Sequence, residues 1–303
     1  MPRKLPAVLK TSKLMQKQIE FPRIGLCLGG GGARGLAHIL ILEVFDEIGL
    51  RPSAITGTSI GALLGAGYSS GLPASRIRSI AEETLTTKFD SIIQFFFSPK
   101  PRFQKIFSIF PMRSALLDSV ALLDLILPKQ VPTTFEELKI PIKIVATNLL
   151  AREPQVFDSG NLHRAVAASI AIPGLFSPVN VNGEPCVDGG IVDPLPYLTL
   201  PSNMDLVIAI DVSGGSRNII ESSRPSMIST LTQSLLILQK TIIRERLRKS
   251  RPDLYLEITL ENFGGLHFHK ASEILAAATP YKSAFRDKLI RLVTSKSVVC
   301  EDN

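Results

Sequence analysis

The sequence predicts an α/β fold, in which a mostly parallel central sheet is covered by helices on both faces. Short apolar runs of strand length alternate with longer segments whose apolar residues recur at helical spacing. A strand, turn and helix occur in this order twice within about fifty residues, and strand signals continue on both sides of a helical middle part. Strands that alternate with helices are typical of a parallel sheet buried between two helical layers.

The individual elements follow from apolar periodicity and from the residues that end each run. Strands are predicted over residues 23–28, 54–56, 142–146, 155–157 and 206–211. Helices are predicted over residues 33–48, 60–68, 114–127, 162–170, 226–248 and 269–292. Gly49 and Gly71 are expected to end the first two helices, because glycine readily adopts the left-handed conformation found there.

The length of the chain allows one large domain or two small ones. Of its 303 residues, 45% are hydrophobic and 20% are charged, which is typical of globular proteins. The sequence has no internal repeat and no clean linker, so we predict a single domain over residues 21–303. Residues 1–20 contain four lysines and one arginine but no apolar run of signal-peptide length, and they are predicted to form a basic N-terminal arm.

Cysteine usage and hydropathy predict a cytoplasmic protein. Cys27, Cys186 and Cys300 are far apart in the sequence and lack the spacing of a disulfide or zinc framework. No apolar run approaches the roughly 18 to 20 residues that a transmembrane helix needs. We therefore expect neither a signal peptide nor a transmembrane segment, and contact with a membrane only at its surface.

The net charge of +7 favours an anionic partner, which is either nucleic acid or an acidic lipid surface. The chain has neither the spacing of a zinc finger nor the aromatic signature of an RNA-binding domain, so we expect no nucleic-acid partner. It also has no recognisable calcium loop. None of these features predicts the oligomeric state.

Residues 89–113 combine aromatic and basic side chains. The segment includes Phe95, Phe96, Phe97, Lys100, Arg102 and Lys105. One interpretation is a pair of helices that caps the core. The other is a membrane-facing lid, which combines apolar insertion with attraction to anionic headgroups.

The glycine-rich turn between the first predicted strand and helix is a candidate anion site, because a helix start presents unpaired N–H groups. Gly30, Gly32 and Gly35 also fit the dinucleotide-binding pattern G-x-G-x-x-G. That pattern requires an acidic residue about 20 positions later, and residues 51–56 contain none. The dinucleotide pattern is therefore incomplete, and two ligands stay open for the turn: a bound phosphate or the transient oxyanion of a reaction.

Gly57, Ser59 and Gly61 form a G-x-S-x-G motif between an apolar strand and a helix of small residues. In a nucleophile elbow, such glycines permit a sharp turn that projects the serine hydroxyl from the end of the sheet. The alternative interpretation is a turn serine that caps a helix.

A serine hydroxyl becomes a good nucleophile only when a base takes its proton. The candidate histidines are His38, His163, His267 and His269, and none has a local setting that singles it out. Asp188 is a further candidate, because Gly189 and Gly190 follow it and allow the backbone to turn sharply beside the carboxylate.

Together the three motifs resemble the patatin-like phospholipase family, and within it the bacterial branch related to the neuropathy-target-esterase catalytic domain. The resemblance covers about residues 21–292 and is carried by LGGGGARGLAHI, ITGTSIGALLGAGYSSG, AASIAIPGLFSPV, VDGGIVDPLP and VIAIDVS. It implies a three-layer patatin-like fold. It also implies a catalytic dyad without histidine, in which Ser59 is the nucleophile and Asp188 is the proton acceptor.

The resemblance implies roles for the neighbouring residues as well. The backbone amides of Gly30, Gly31 and Gly32 would form an oxyanion hole. Arg34 matches a basic position of the family, where it would either favour local negative charge or brace the loop. The supporting glycines are Gly35, Gly57, Gly61, Gly189 and Gly190. No metal and no other cofactor is implied.

The function expected from this resemblance is that of a serine lipid-acyl hydrolase of the phospholipase A or lysophospholipase type, with a phospholipid or lysophospholipid substrate. Transfer of the acyl group to an alcohol other than water is one alternative. A dinucleotide-binding oxidoreductase that uses the glycine turn is another, and a catalytically silent membrane-binding protein on the same fold is a third.

Overall fold

A computed structural model of the chain describes residues 19–84, 117–215 and 227–299. The predicted basic arm up to residue 18 and the aromatic segment 89–113 lie outside the described residues. The ten strands are β1 (Ile19–Glu20), β2 (Ile24–Leu28), β3 (Ala54–Thr58), β4 (Ile142–Asn148), β5 (Glu153–Phe157), β6 (Val179–Val181), β7 (Glu184–Asp188), β8 (Leu206–Asp211), β9 (Leu254–Glu257) and β10 (Val298–Val299).

Seven α-helices accompany these strands within the described ranges. They are α1 (His38–Ile48), α2 (Ile60–Ser69), α3 (Ala74–Ile80), α4 (Ser119–Ile126), α5 (Leu162–Ser169), α6 (Met227–Lys249) and α7 (Ala271–Lys296). None of the helices in the described ranges is both long and apolar enough to cross a membrane.

The central sheet has eight strands. Seven of them follow the order β6-β7-β4-β3-β2-β8-β9, and β5 pairs with the free side of β4. Strands β2, β3, β4, β8 and β9 run parallel to their neighbours in this group, whereas β5, β6 and β7 are antiparallel to theirs. A separate ribbon pairs β1 with β10. The predicted mostly parallel sheet is therefore confirmed.

Helices cover both faces of the sheet, as the alternation of side chains along β2 shows. Leu26 and Leu28 belong to the larger core cluster, which also contains buried residues of α1, α2, α5 and α7. Cys27 points to the opposite face, where it packs in a smaller cluster with Leu200 and Ile243 of α6. The three-layer α/β fold expected from the sequence is thus the observed one.

The strand pairing brings the ends of β3 and β7 together. Both strands lie on the same side of β4, because β5 occupies its other side over the same residues. Thr58, at the end of β3, pairs with Val145. Asp188, at the end of the oppositely directed β7, pairs with the next residue, Ala146. The residue that follows Thr58 must therefore lie close to Asp188.

Several predicted elements have different bounds in the structure. The helix predicted over 33–48 begins as a 3-10 helix, Gly32–Ala37, before α1 starts. Gly49 ends α1 with φ 70°, as expected. Strands β6, β7 and β9 are not among the strands predicted from the sequence. Strand β1 lies at the end of the segment predicted as the basic arm.

Candidate active site

Ser59 occupies a tight turn between β3 and α2. Its φ is 56° and its ψ is −124°, a conformation that is strained for a residue with a side chain. A Cβ at Gly57 would lie 2.7 Å from the nitrogen of Ala62, and one at Gly61 would lie 2.1 Å from the oxygen of Leu28. The two glycines of the motif are therefore required for the close approach of backbone on both sides of the serine.

Hydrogen bonds through Ser169 of α5 hold the backbone of the turn at Ser59. The N–H of Ser59 donates to Ser169 Oγ at 2.8 Å, and Ser169 Oγ donates to the carbonyl of Val145 at 2.7 Å. This relay connects the strained residue to α5 and β4. The sequence placed Ser169 only within the motif AASIAIPGLFSPV and gave it no role of its own.

The side chain of Ser59 donates a 2.6 Å hydrogen bond to Asp188 Oδ2. The other carboxylate oxygen of Asp188 accepts the N–H of Gly190 at 2.7 Å, and Thr147 Oγ1 donates to the Asp188 carbonyl. Burial raises the pKa of Asp188 to about 6, although the hydrogen bonds from Ser59 and Gly190 act in the opposite direction. A carboxylate with this pKa is a better base than an exposed one and is still mostly ionised at neutral pH.

The glycine turn after β2 lies beside Ser59. A Cβ at Gly30 would be 3.5 Å from the Cβ of Ser59. The N–H of Gly30 donates to the carbonyl of Pro194 at 2.9 Å, so this amide is already engaged. No hydrogen bond joins the amides of Gly31 and Gly32 to other described residues. Of the three amides predicted to form an oxyanion hole, those of Gly31 and Gly32 are therefore available to a ligand within the described part of the chain, whereas that of Gly30 is not.

Arg34 is buried behind the glycine turn. Its Nε donates to the Gly31 carbonyl at 3.4 Å, and its Nη1 donates to the Gly214 carbonyl at 3.2 Å. Burial lowers the pKa of Arg34 to about 10, and the nearby Asp211 opposes this shift. Of the two roles that the resemblance left open, these contacts favour bracing of the loop.

None of the four histidines hydrogen-bonds to Ser59 or Asp188 in the part of the chain that the structure describes. His38 Nε2 lies 2.8 Å from the Gly29 carbonyl, and burial lowers the pKa of His38 to about 4. His267 accepts the N–H of Gly264. His38 therefore supports the start of the glycine turn and stays neutral at physiological pH.

A cleft of about 470 Å³, counted out to its open mouth, lies over Ser59 and Asp188. Its wall is mainly apolar and includes Ile172, Pro173, Ile191, Leu235, Leu236 and Leu266. Helix α6 contributes one face to this wall, with Thr232 and Gln239 as its polar members. The sequence indicated the helix but contained no signal that it would lie against the motif residues.

This arrangement defines the class of the protein as an α/β protein with a strained serine, Ser59, at a strand–turn–helix junction beside a buried carboxylate. Comparison with known families matches residues 26–201 to the patatin-like phospholipase family, and the chain belongs to that family. The motif order glycine turn, G-x-S-x-G and D-G-G, from which the family was predicted, lies within the matched residues.

Three relatives illustrate the range of similarity. An uncharacterised NTE family protein of Mycobacterium tuberculosis is 33% identical over 210 residues, which cover 68% of this chain and 53% of that protein. Lysophospholipase NTE1 of Pyricularia oryzae is 24% identical over 300 residues, which cover 88% of this chain and 18% of that protein. Patatin-like phospholipase domain-containing protein 6 of Mus musculus is 31% identical over 198 residues, covering 62% and 13%, respectively. The chain thus spans about half the length of the mycobacterial relative and a smaller part of the other two.

Proposed function

We propose that this protein is a serine lipid-acyl hydrolase of the phospholipase A or lysophospholipase type, with Ser59 as the nucleophile and Asp188 as its general base. The observation that carries the proposal is the 2.6 Å hydrogen bond from Ser59 Oγ to the buried carboxylate of Asp188, at the base of a largely apolar cleft. Membership of the patatin-like phospholipase family supports the same conclusion.

In the acylation step, ionised Asp188 takes the proton of Ser59 Oγ as this oxygen attacks the ester carbonyl carbon. The negative charge that develops on the carbonyl oxygen is stabilised by the N–H groups of Gly31 and Gly32. The proton on Asp188 then passes to the alcohol or lysolipid oxygen, which leaves as the carbon–oxygen bond breaks. An acyl ester on Ser59 remains.

In the deacylation step, Asp188 takes a proton from a water molecule, and the water oxygen attacks the acyl carbon. Collapse of the tetrahedral intermediate breaks the bond to Ser59 Oγ, and Asp188 returns the proton to that oxygen. The products are the free carboxylic acid and the original enzyme. The raised pKa of Asp188 serves both steps, since proton transfer is most effective when the pKa of the base is near the working pH.

The proposed oxyanion hole has two amide donors, those of Gly31 and Gly32, instead of the three that the sequence led us to expect. Gly30 is left out because its N–H donates to the Pro194 carbonyl. Gly31 and Gly32 cannot be replaced without displacing backbone, since a Cβ would lie 2.6 Å from the Val212 oxygen or 2.2 Å from the Gly265 oxygen, respectively. Their close packing fixes the direction of the two amides before the substrate binds, which is the property that an oxyanion hole needs.

A long apolar acyl chain is the substrate part that suits the cleft, because its wall is mainly Ile and Leu. The proposed contact with a membrane surface through Phe95, Phe96, Phe97, Lys100, Arg102 and Lys105 stays a prediction, since these residues lie outside the described ranges. Acyl transfer to an alcohol uses the same residues and differs only in the acceptor. The dinucleotide alternative is disfavoured by the packing of Val212 and Gly265 against the glycine turn.

The proposal is tested by labelling with a fluorophosphonate probe and by hydrolysis of lysophospholipid vesicles or micelles. We expect the wild-type protein to be labelled and to release fatty acid, and Ser59→Ala to do neither. Ser70→Ala, at the end of α2, is the matched control and should behave like the wild type. Labelling that persists in Ser59→Ala would overturn the assignment of the nucleophile.

A further inference from the structure

Helix α6 is apolar on two opposite sides where it passes the cleft. Leu235 and Leu236 line the cleft wall. The next two residues, Ile237 and Leu238, lie on the opposite side of the helix, where they are 67% and 53% exposed. Successive residues of an α-helix are about 100° apart, so four apolar residues in a row surround the helix. A helix that is apolar all round is normally buried, and the exposed pair therefore requires an explanation.

The exposed pair belongs to a stripe of exposed residues along α6. This outer face of α6 consists of Leu231, Ser234, Ile237, Leu238 and Thr241. Ser234 Oγ donates to the Thr230 carbonyl at 2.9 Å. Thr241 Oγ1 donates to the Ile237 carbonyl at 3.0 Å. Because both hydroxyl groups have partners within the helix, the outer face can enter an apolar medium without leaving a hydroxyl unbonded.

The same side of α6 becomes cationic towards the end of the helix. Arg244, Arg248 and Lys249 are exposed there, together with one carboxylate, that of Glu245. This carboxylate lies 3.8 Å from Arg244 Nε and 2.8 Å from Arg248 Nη1. Three cations against one anion leave an excess of positive charge next to the apolar residues. An apolar stripe followed by Lys and Arg is typical of helices that lie in the surface of an anionic membrane.

We propose that the outer face of α6 docks on a lipid surface with anionic headgroups and places the mouth of the cleft against that surface. Ile237 and Leu238 insert at the boundary between headgroups and acyl chains, and the cationic end of α6 attracts the headgroups. The inner side of the same helix turn forms the cleft wall, so an acyl chain passes from the membrane to Ser59 along apolar side chains. This inference rests on the proposed function and specifies its substrate as a lipid within a membrane or other aggregate.

Docking makes turnover depend on the physical state of the substrate. A dispersed soluble ester reaches Ser59 from water and gains nothing from the outer face of α6. A lipid in a vesicle is reached only by bound protein, so its hydrolysis falls in proportion to the bound fraction. Changes on the outer face should therefore lower activity on vesicles and leave activity on a dispersed ester unchanged.

The test compares the double variant Ile237→Ser and Leu238→Ser with the wild type. In flotation with vesicles of phosphatidylcholine and phosphatidylglycerol, we expect the partition coefficient to fall on the order of 10- to 100-fold, because the burial of two large aliphatic side chains is lost. Hydrolysis of the vesicle phospholipid should fall with it. Hydrolysis of dispersed p-nitrophenyl butyrate should not change, which also shows that the variant is folded. Leu125→Ser on α4 is the matched control, since Leu125 is 56% exposed, and it should change none of these quantities.

A second double variant, Arg244→Gln and Arg248→Gln, tests the cationic end of α6. Its binding to the same anionic vesicles should fall on the order of tenfold, because each basic residue near the surface contributes to the attraction. Its binding to vesicles of phosphatidylcholine alone should equal that of the wild type. The two variants thus measure the apolar and the electrostatic part of docking separately.

Unchanged flotation of either double variant on the anionic vesicles would overturn the inference. A wild-type dimer that becomes monomeric in the first variant, with vesicle binding intact, would also overturn it, since the outer face would then be an interface between two copies of the chain. Failure of the proposed function is a separate result. The wild type would then show no ester hydrolysis that depends on Ser59, whereas flotation of Ser59→Ala measures docking without catalysis.

Discussion

Asp188 and Asp193 lie at the two ends of one short turn, and both side chains are buried, with 5% and 3% of their surface exposed. Their partners are nevertheless different. Asp188 accepts hydrogen bonds from the Ser59 hydroxyl and the Gly190 amide, and no cation contributes to its pKa. Asp193 is paired with the guanidinium of Arg246 at 2.5 Å.

The Asp193 end of the turn connects three parts of the fold. Arg246 belongs to α6, and it also donates to the Val192 carbonyl. Thr58, the residue before Ser59, donates its hydroxyl to the Asp193 carbonyl at 2.7 Å. Burial raises the pKa of both carboxyl groups. Asp188 contacts the Ser59 hydroxyl and is therefore placed for proton transfer, whereas the Asp193 carboxylate is held in an ion pair by Arg246. Burial alone therefore does not make a carboxylate a base.

The largest expected difference between the two aspartates is in turnover. Asp188→Asn removes the proposed general base and should lower the rate of ester hydrolysis on the order of 10²- to 10⁴-fold. Asp193→Asn should retain activity within about tenfold, because its carboxylate touches neither Ser59 nor the cleft wall. Steady-state ester hydrolysis at pH 8 measures the turnover of both variants. Equal losses of turnover in the two variants would show that the two aspartates do not differ in role.

The ion pair of Asp193 should matter more for the free energy of unfolding than for turnover. Arg246→Met leaves the Asp193 carboxylate buried without its cation and should lower the free energy of unfolding by about 3 kcal/mol at pH 7. Urea denaturation measures this loss, with Arg244→Met on the exposed side of α6 as the control. A variant as stable as the wild type would show that the Asp193 pair does not anchor the turn.

The same comparison predicts a pH effect for Asp188. Because its folded pKa of about 6 lies above the unfolded value of 3.8, the folded wild type loses stability as the pH rises through this interval. Asp188→Asn has no such titration. Its stability relative to the wild type should therefore increase by about 3 kcal/mol between pH 3.5 and pH 7, at about 1.4 kcal/mol per pKa unit. A difference that does not vary with pH would contradict the raised pKa.

The smallest expected effect is that of the hydrogen bond from Thr58 to the Asp193 carbonyl. Thr58→Val keeps the shape of the side chain but removes its hydrogen bond to the Asp193 carbonyl, which should cost about 1 kcal/mol of stability. Activity should change little if the bond only fastens the elbow. A loss of turnover comparable with that of Asp188→Asn would place Thr58 in the catalytic machinery instead.

The sequence predicted the parts of this site that depend on local backbone geometry. The elbow at Ser59 and the glycine turn could be predicted because sharp turns and close approaches of the backbone require glycine at fixed positions. The pairing of Ser59 with Asp188 was readable only through the family resemblance, since 129 residues separate them. The structure explains the pairing by the shared alignment of β3 and β7 along β4.

Other features of the site depend on long-range packing and had no local signal. The engagement of the Gly30 amide by Pro194 is set by where the turn after β7 lies, which no pattern near Gly30 encodes. The contact between Arg246 and Asp193 likewise depends on how α6 crosses the sheet.

The central claim is that Asp188, without a histidine, activates Ser59, and the pH dependence of labelling tests it most directly. The rate of wild-type labelling by a fluorophosphonate should rise with pH and reach half its maximum near pH 6, where Asp188 ionises. This rise should disappear in Asp188→Asn and persist when each of the four histidines is replaced by glutamine. A rise that persists in Asp188→Asn and disappears in one histidine variant would contradict the account and assign that histidine as the base.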